Sequence, residues 1–395
     1  MHDNERSTTM VNFDYCTPTR LVFGKGVIEK LPAIMSPLGK KILLVYGGGS
    51  IKKTGLYDKV LELLSDFEIF ELSGVEPNPK YESVVEGAKI CRENNVDAVL
   101  AVGGGSVLDC SKSIAAGAKY DGDPWDLITY KVPTTSALPI VDIMTLSATG
   151  SEYDANSVIS RMDLNIKTCL KSDHIFPTCS ILDPTYTFTV SKRQTAAGAA
   201  DAISHVFEKY FTAPTTDLND GMCEAVIKSI MKNVKIALED PCDYDARAEL
   251  MVDCALACNN IIALGNGASG WVAHAIEHAL SAYYDITHGE GLAIITPHWM
   301  RKILSEKTAE RFVKYGVNVL GIDPALDKFE IANKAIDNTY EFFKSLGIPM
   351  TLGEVGIDDG KISEMANDIA GNDKLKNCYV PLSVEDVAEI LRNSL

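Results

Sequence analysis

The pattern of hydrophobic and polar residues differs between the first and second halves of the chain. In the first half, short apolar runs alternate with segments of helical periodicity. They predict a strand that starts at Thr19, helices at 81–94 and 107–119, and further strands at 42–46, 67–72, 96–102 and 138–145. Strands that are apolar throughout and alternate with helices are typical of a parallel sheet covered on both faces. This half is therefore expected to form an α/β domain with a doubly wound sheet and right-handed crossovers.

Helical periodicity dominates the chain after residue 187. The segments that carry it are 193–212, 217–238, 244–264, 268–284, 291–304, 307–319, 327–346 and 385–394. A chain of 395 residues is long enough for two domains. The sequence therefore predicts an α/β domain over residues 10–187 and an all-helical domain over residues 188–395. Residues 1–9 are expected to be a loose leader, which need not be native.

Composition and charge narrow the class of protein. Apolar residues make up 46% and charged residues 23% of the chain, as in ordinary globular proteins. The net charge of −17 argues against nucleic acid or an anionic membrane as the main partner. Ten scattered cysteines without a CxxC motif are expected to be reduced, and no apolar run approaches the length of about 18 residues that a membrane span needs. With an N-terminus unlike a secretory signal, these features predict a cytoplasmic protein.

Five residues of the second half have the chemistry and spacing of metal ligands. His274 and His278 are four positions apart in a helical pattern, as are Asp201 and His205, so each pair shares one face of a helix. His288 follows ten positions after His278. A carboxylate and three imidazoles suit a divalent ion of iron, zinc, cobalt or manganese.

The spacing alone leaves a second interpretation open. A single histidine on an apolar helix face is more often a core residue that hydrogen-bonds to a neighbour than a ligand.

The glycines of the segment THGEG, residues 287–291, are expected to end the helix that carries His274 and to let the backbone turn sharply.

Two glycine-rich turns of the first half are candidate phosphate sites. The strand at 96–102 leads into Gly103–Gly105, and a helix is expected to start after Ser106, so backbone N–H groups there could hold a pyrophosphate. The motif is neither GxGxxG nor a Walker sequence, and a tight strand-to-helix turn remains the alternative. The second turn, at 47–50, is followed by Lys52 and Lys53 and has no acidic residue at the strand tip. Because such an acidic residue usually binds the ribose of NAD, its absence predicts NADP rather than NAD.

With these residues in view, the chain resembles the iron-containing (group III) alcohol dehydrogenases, and among them the NADPH-dependent aldehyde reductase and butanol dehydrogenase branch. The resemblance runs from Phe13 to the C-terminus. Its motifs are VEPNP (75–79), GGGSVLDCSK (103–112), TLSATGSE (145–152), LDP (182–184), GAADAISH (198–205) and the histidines at 274, 278 and 288. It implies a domain with a Rossmann-like parallel sheet followed by an all-helical domain, an architecture similar to that of the dehydroquinate synthases.

The resemblance also implies a role for each candidate residue. The metal ligands would be Asp201, His205, His274 and His288, whereas His278 would lie beside the metal without binding it. Our hypothesis is that His278 is catalytic, as the proton relay between the alkoxide and solvent. Residues that match cofactor positions are Gly104, Gly105 and Ser106 at the pyrophosphate, Gly48 and Ser50 at the adenosine phosphate, Asp109, Thr145, Ser147 and Lys167 along the cofactor, and Asn78 near the adenine.

The implied activity is NADP(H)-linked and uses one divalent metal ion, Fe²⁺ or Zn²⁺. Its substrates would be short-chain aldehydes and primary alcohols such as butanal and butanol. A homodimer or larger homo-oligomer is expected, joined near Tyr15–Phe23. Two departures from the family pattern are Ser147 and Ala148, which should be tolerated, and Glu290, whose negative charge makes anionic substrates less favourable.

Two other classes of protein are weighed against this activity. A lyase or synthase similar to the dehydroquinate synthases would need several basic residues for a phosphorylated, carboxylated substrate, and the motifs offer few. A nucleotide-sensing module without catalysis would have no use for a complete set of metal ligands.

Overall fold

The structure, a computed structural model, describes residues 10–371 and 374–395. The predicted leader at 1–9 lies outside the described residues. All ten cysteines fall within the described ranges and are free thiols. Among the described helices, none has both the length and the apolar composition needed to cross a membrane.

The first half of the chain forms a six-stranded, entirely parallel sheet. Its strands are β1 (Arg20–Phe23), β2 (Lys41–Tyr46), β3 (Glu68–Leu72), β4 (Ala98–Gly103), β5 (Ile140–Met144) and β8 (Cys179–Leu182), in the spatial order β1-β8-β5-β4-β2-β3. The five predicted strands are present, and their observed bounds lie within two residues of the predicted ones. The predicted parallel sheet is therefore confirmed.

Alternate residues of the central strands enter two different hydrophobic cores. In β2, Leu43 and Val45 belong to one core, whereas Ile42 and Leu44 belong to the other. Successive side chains of a strand point to opposite faces, so each face of the sheet is covered by its own apolar layer. This double burial explains why the strand is apolar throughout instead of alternating with polar residues.

The pattern did not predict three of the strands. These are β8 and an antiparallel hairpin made of β6 (Asn156–Arg161) and β7 (Ile166–Lys171). Helix α5 also begins earlier than expected, at Gly105, because Gly104 is its extended N-cap residue. Gly105 and Ser106 are thus the first two residues of the helix, and the start predicted after Ser106 was wrong by two positions.

The remaining elements are mostly helices, which dominate after residue 191. Along the chain they are α1 (Leu31–Met35), α2 (Ser50–Lys53), α3 (Leu56–Leu63), α4 (Tyr81–Asn94), α5 (Gly105–Gly117), α6 (Pro124–Ile128), α7 (Lys192–Tyr210), α8 (Asp217–Glu239), α9 (Tyr244–Cys258), α10 (Val272–Tyr284), α11 (His288–Ile303), α12 (Ala309–Asn318), α13 (Lys328–Ser345), α14 (Ile362–Ala370) and α15 (Val384–Asn393). The predicted helical second half is confirmed. Helix α9 ends six residues before its predicted end at 264, and α14 was not predicted.

The chain divides into two compact units that are discontinuous in sequence. The α/β unit comprises Thr17–Thr195 and Glu239–Cys258, so it includes helix α9. Within the described ranges, the helical unit comprises residues 10–16, Ala196–Leu238 and the chain from Asn259 onward. The predicted domains were continuous, and the domain boundary near residue 187 stays a prediction.

Candidate active site

Three helices of the helical unit carry the five candidate residues. Asp201 and His205 lie one turn apart on α7, His274 and His278 lie one turn apart on α10, and His288 is the first residue of α11. Helix α7 is buried on all sides from residue 196 to residue 210, as expected for a helix that runs through a core. Its many alanines favour the helix and leave room for neighbouring helices to approach.

Three imidazole nitrogens lie close to one carboxylate oxygen. Asp201, His205 and His274 form one buried group that could hold a metal ion, and His288 forms a second candidate group with Glu277 and His278. The Asp201 Oδ1 atom lies 3.5 Å from His205 Nε2, 3.8 Å from His274 Nε2 and 3.6 Å from His288 Nε2. Ligand bonds of about 2.1 Å in tetrahedral geometry place the ligand atoms roughly 3.4 Å apart. Asp201 Oδ1 and His274 Nε2 are buried and have no hydrogen-bond partner in the described part of the chain. These residues therefore fit one divalent metal ion, and the ligand assignment stays a prediction that this geometry supports.

The electrostatics favour the metal-binding protonation state at Asp201 and His205, whereas at His274 the effect of burial is outweighed by the carboxylates of Asp201 and Glu208, which raise its pKa. Burial opposes the ionised form of Asp201, but the imidazoles of His205 and His288 outweigh it and hold its pKa below the usual range. Burial lowers the pKa of His205 well below its ordinary value. An anionic carboxylate and a neutral imidazole are the forms that bind metals.

His278 lies beside the cluster. Its ring centroid is 5.6 Å from that of His288 and 6.4 Å from that of His274. The side chain is half-buried, whereas Asp201 and His205 are buried. This position is compatible with a group that exchanges protons near the metal, although its role stays a prediction.

The sequence predicted that Gly289 and Gly291 end the helix that carries His274. This prediction was wrong, because α10 already ends at Tyr284. The two glycines lie in the first turn of α11, and neither has a positive φ angle. A Cβ atom on Gly289 would lie 1.9 Å from the Ala197 carbonyl oxygen of α7, and one on Gly291 would lie 2.9 Å from Glu277 Cγ. The glycines are therefore needed for close approach of α11 to α7 and α10, which brings His288 to the cluster.

Two buried glutamates that the sequence reasoning missed contact the candidate ligands. Glu208 Oε1 lies 3.4 Å from His274 Nδ1, and Glu277 Oε2 accepts a hydrogen bond from His288 Nδ1. Both glutamates are fully buried. Glu208 could have been found from spacing, because Asp201, His205 and Glu208 occupy positions i, i+4 and i+7 on one helix face.

Trp271 and a neighbouring cavity border the histidine cluster. The ring centroid of Trp271 is 5.0 Å from that of His274 and 5.9 Å from that of His205. Trp271 also lines a cavity of about 300 Å³, together with Lys209, residues 11–15 and residues 263–269. Of the bulky aromatic residues near the ligand loop in sequence, Trp299 is instead part of the core, packed against Phe211.

In the α/β unit, the first glycine turn is shaped by a neighbouring loop. A Cβ atom on Gly105 would lie 2.2 Å from Thr149 Oγ1, and one on Gly104 would lie 3.2 Å from Leu146 Cβ. The absence of side chains lets the TLSATGSE segment pack against the start of α5. The first N–H groups of this helix lack intrahelical acceptors, so the turn also fits a pyrophosphate.

Three residues predicted along the cofactor, Asp109, Thr145 and Ser147, differ in what they contact. Asp109 accepts hydrogen bonds from Ser151 Oγ at 2.6 Å and from the Val158 N–H group at 2.9 Å, and burial raises its pKa to about 6. The Thr145 N–H group donates to the Gly103 carbonyl and extends the pairing of β4 with β5. The Ser147 hydroxyl is buried without a hydrogen-bond partner among the described residues, which fits a group awaiting a ligand.

Two predicted cofactor residues far apart in sequence, Lys167 and Asn78, contact each other, and their roles stay predictions. Lys167 Nζ donates to Asn78 Oδ1 at 2.9 Å, and Asn78 has a left-handed backbone with a φ of 49°. The second glycine turn is open, since a Cβ atom on Gly48 would meet nothing within 4 Å, and Ser50 is the first residue of α2.

Two charged side chains near this second turn are Lys52, which is positive, and Glu71, whose carboxylate is hydrogen-bonded within the protein. The Lys52 ammonium lies 4.9 Å from the ring centroid of Tyr46 and 4.3 Å from that of Tyr57. The nearby carboxylate of Glu71, on β3, accepts hydrogen bonds from the hydroxyls of both tyrosines. Its two oxygens are thus occupied by the protein.

Comparisons with known proteins agree with this combination of a parallel-sheet unit and a buried metal-ligand cluster. Residues 18–184 match the family model of iron-containing alcohol dehydrogenases, and residues 195–395 match the C-terminal model of the same family. The chain is 51% identical to NADH-dependent butanol dehydrogenase A of Clostridium acetobutylicum, over 98% of this chain and 100% of that protein. It is 39% identical to the NADPH-dependent aldehyde reductase YqhD of Escherichia coli, over 89% of this chain and 91% of that protein.

A solved structure shows the same fold. The crystal structure of NADH-dependent butanol dehydrogenase A from Thermotoga maritima superposes with a TM-score of 0.93 at 39% identity, over 98% of this chain and 99% of that one. The fold is that of a class of oxidoreductases. The chain belongs to the iron-containing alcohol dehydrogenase family. It is an alcohol dehydrogenase or aldehyde reductase of that family, and membership implies a nicotinamide cofactor and an iron-type metal.

The close contact at Gly289 gives a prediction for stability. Gly289→Ala should lower the free energy of unfolding by about 1–3 kcal/mol, because the added methyl group would push α11 away from α7. It should also weaken metal binding, since His288 is the adjacent residue. Urea unfolding followed by circular dichroism, together with metal titration, measures both effects.

Gly221→Ala is the matched control. Gly221 is exposed in the second turn of α8, and a Cβ atom there meets nothing within 4 Å. This substitution should raise the free energy of unfolding by about 0.5–1 kcal/mol. Equal effects of the two substitutions would contradict the proposed role of the close approach.

Proposed function

We propose that the protein reduces short-chain aldehydes such as butanal to primary alcohols, with NADPH as the hydride donor and one divalent metal ion, Fe²⁺ or Zn²⁺. The observation that carries this proposal is the convergence of three imidazole Nε2 atoms on Asp201 Oδ1. The reaction consumes one aldehyde, one NADPH and one proton and yields one alcohol and one NADP⁺.

Each part of the site has one task in this reaction. Asp201, His205, His274 and His288 would hold the metal. When bound, the metal supplies a Lewis acid for the substrate oxygen and the cofactor supplies the hydride. His278 would deliver a proton to that oxygen and recover one from solvent, a task suited to a half-buried imidazole.

The surroundings of the cluster favour a small, neutral substrate. Glu208, Glu277 and Glu290 are buried near the candidate ligands and add negative charge, which disfavours carboxylated or phosphorylated substrates. The Trp271 ring offers an apolar surface next to His274. Several relatives, including the one from Clostridium acetobutylicum, are named butanol dehydrogenases, which supports butanal as the first substrate to test.

The choice of NADPH is based on the turn at residues 47–50. The tip of β2 carries no acidic side chain that would repel a 2′-phosphate, and Glu71 is engaged by Tyr46 and Tyr57. Lys52 adds a positive charge at the same place. NADH is the second candidate, because two relatives at 51% and 47% identity are named NADH-dependent.

A homodimer or larger homo-oligomer is part of the proposal. Strand β1 is at the edge of the sheet, and its residues Leu21 and Phe23 point to the same side and are 37% and 42% exposed. Phe13, in the preceding segment, is also exposed. An edge strand with exposed apolar side chains is a natural pairing surface.

Metal and cofactor dependence can be measured in one assay. Protein stripped with a chelator should oxidise NADPH with butanal only after Fe²⁺, under anaerobic conditions, or Zn²⁺ is restored, and NADPH should be preferred to NADH. Asp201→Asn is the control, because it removes the only carboxylate among the proposed ligands and should reduce reactivation by metal. Activity that is indifferent to metal would contradict the reaction, whereas a preference for NADH would overturn only the choice of cofactor.

The proton-relay role predicts a separable effect of His278. His278→Ala should lower turnover by roughly 10²- to 10⁴-fold, the usual range for loss of general acid–base catalysis, and leave the metal content unchanged. His174→Ala, at an exposed histidine of the α/β unit, should change neither quantity. Unaltered turnover and an unaltered pH profile in His278→Ala would show that the relay role is wrong.

If β1 forms the interface of the proposed oligomer, charged residues introduced on this strand should weaken association. The double variant Leu21→Lys/Phe23→Lys should sediment as a smaller species than the parent protein at the same micromolar concentration. Leu164→Lys changes an equally exposed apolar residue elsewhere in the α/β unit and should leave the sedimentation coefficient unchanged. A monomeric parent protein would rule out the oligomer.

A further inference from the structure

We propose that Glu208 and Glu277 are positioning residues, which hold the imidazoles of His274 and His288 with their Nε2 atoms facing the metal and thereby raise its affinity. The inference rests on the proposed metal ligands. It concerns the Nδ1 atom of each ring, on the side away from the proposed metal. The ligand assignment gives this atom no role. A neutral imidazole has one protonated nitrogen, and the hydrogen bond made by one nitrogen decides which.

The contact of Glu277 fixes the state of His288. Its Oε2 atom accepts a hydrogen bond from His288 Nδ1, and its Oε1 atom accepts one from Ser281 Oγ. The carboxylate is fully buried and packs against Gly291, where a side chain would collide with it. With Glu277 ionised, its oxygen can only accept, so His288 Nδ1 is the donor and the lone pair of the neutral ring is on Nε2.

Glu208 acts on His274 from another helix. Its Oε1 atom accepts the His274 N–H group at 3.1 Å and lies 3.4 Å from His274 Nδ1, and its Oε2 atom accepts the Val272 N–H group at 3.1 Å. The residue before α10, Trp271, provides no side-chain cap. The glutamate of α7 therefore caps α10 as well as orienting its imidazole.

The third proposed imidazole ligand lacks such support. His205 Nδ1 is buried and has no hydrogen-bond partner in the described ranges. Its ring is held instead by stacking on His274, with centroids 4.7 Å apart and planes 14° apart. The support from carboxylates is thus specific to the ligands of α10 and α11, and it is not a general property of buried histidines in this unit.

The buried negative charge gives a second reason why Glu208 and Glu277 should affect metal affinity. Asp201, Glu208 and Glu277 are three buried carboxylates around the imidazoles. Buried charges are strongly unfavourable unless they are paired or coordinate a metal. A divalent cation would offset most of this negative charge, and the carboxylates would strengthen the imidazoles as donors. Groups in this position change metal affinity by about 10- to 100-fold when removed.

The alternative is that both glutamates only stabilise the fold. Glu208 caps a helix and Glu277 binds Ser281, so a loss of stability alone would not distinguish the two roles. The tautomer of each imidazole does distinguish them, because it is set by the Nδ1 hydrogen bond and can be observed in the folded, metal-free protein.

The test combines NMR with metal titration. Protein labelled with ¹⁵N-histidine contains seven histidines, and its spectrum at a pH of about 8.5, where ordinary imidazoles are neutral, reports the protonated nitrogen of each. Cobalt(II) affinity is measured by competition with a chelator. The variants are Glu277→Ala, Glu277→Gln and Glu208→Gln, with Glu224→Gln as the control. Glu224 is a buried glutamate of the same unit that accepts hydrogen bonds from Tyr210 and Asn318.

The parent protein should show His274 and His288 protonated at Nδ1. Glu277→Ala should shift His288 towards the Nε2-protonated form and weaken cobalt binding by about 10- to 100-fold, and Glu277→Gln, which keeps a neutral acceptor, should have a smaller effect. Glu208→Gln should act in the same way on His274, and Glu224→Gln should change neither quantity.

Unchanged tautomers of His274 and His288 in all three variants would overturn the proposal. The spectra are recorded without metal, so they decide it even if the parent protein binds no cobalt. Failure of the parent to bind cobalt would instead contradict the proposed function. A variant that does not fold is replaced by the milder glutamine substitution, which preserves the shape of the side chain.

Discussion

The centre of the helical unit depends on neutralising buried negative charge. Asp201 and Glu208 on α7 and Glu277 on α10 are each at most 3% exposed. An isolated carboxylate in such surroundings would be strongly disfavoured, so each must have a partner. Imidazoles from α7, α10 and α11 provide those partners, and three of their Nε2 atoms lie 3.5–3.8 Å from Asp201 Oδ1. The packing of three helices and the chemistry of the site are therefore one arrangement.

Five of the six strands of the sheet could be predicted because burial on both faces leaves a continuous apolar run, as at 42–46 of β2 and 98–102 of β4, which a glycine follows directly. The fully buried β8 has only four residues and was not predicted. The hairpin of β6 and β7 gave no such signal, since its one-sided burial mixes polar with apolar residues. Helix α9 shows a different limit. Its residues have helical periodicity, but periodicity does not reveal that the helix packs with the α/β unit.

In the candidate site too, the sequence predicted contacts within one helix but not contacts between helices. Spacing of four residues placed Asp201 beside His205 and His274 beside His278, because a helix repeats every 3.6 residues. It could not reveal that α11 starts at His288, or that Gly289 is glycine because a carbonyl of α7 lies where its side chain would be. Such contacts depend on how helices distant in sequence pack against one another. The family resemblance, and not the spacing, separated His278 from the proposed ligands.

Cofactor preference and metal chemistry have different physical origins in this protein. The proposed ligands are largely buried, and their geometry is fixed by three helices, so a change there disturbs packing, charge and metal binding together. The turn at residues 47–50 is open, and a side chain could be added at Gly48 without meeting another atom. Discrimination of a 2′-phosphate therefore depends on a few exposed groups near Lys52, whose contribution is electrostatic and weakened by salt. The fold constrains the reaction much more strongly than it constrains which nicotinamide cofactor supplies the hydride.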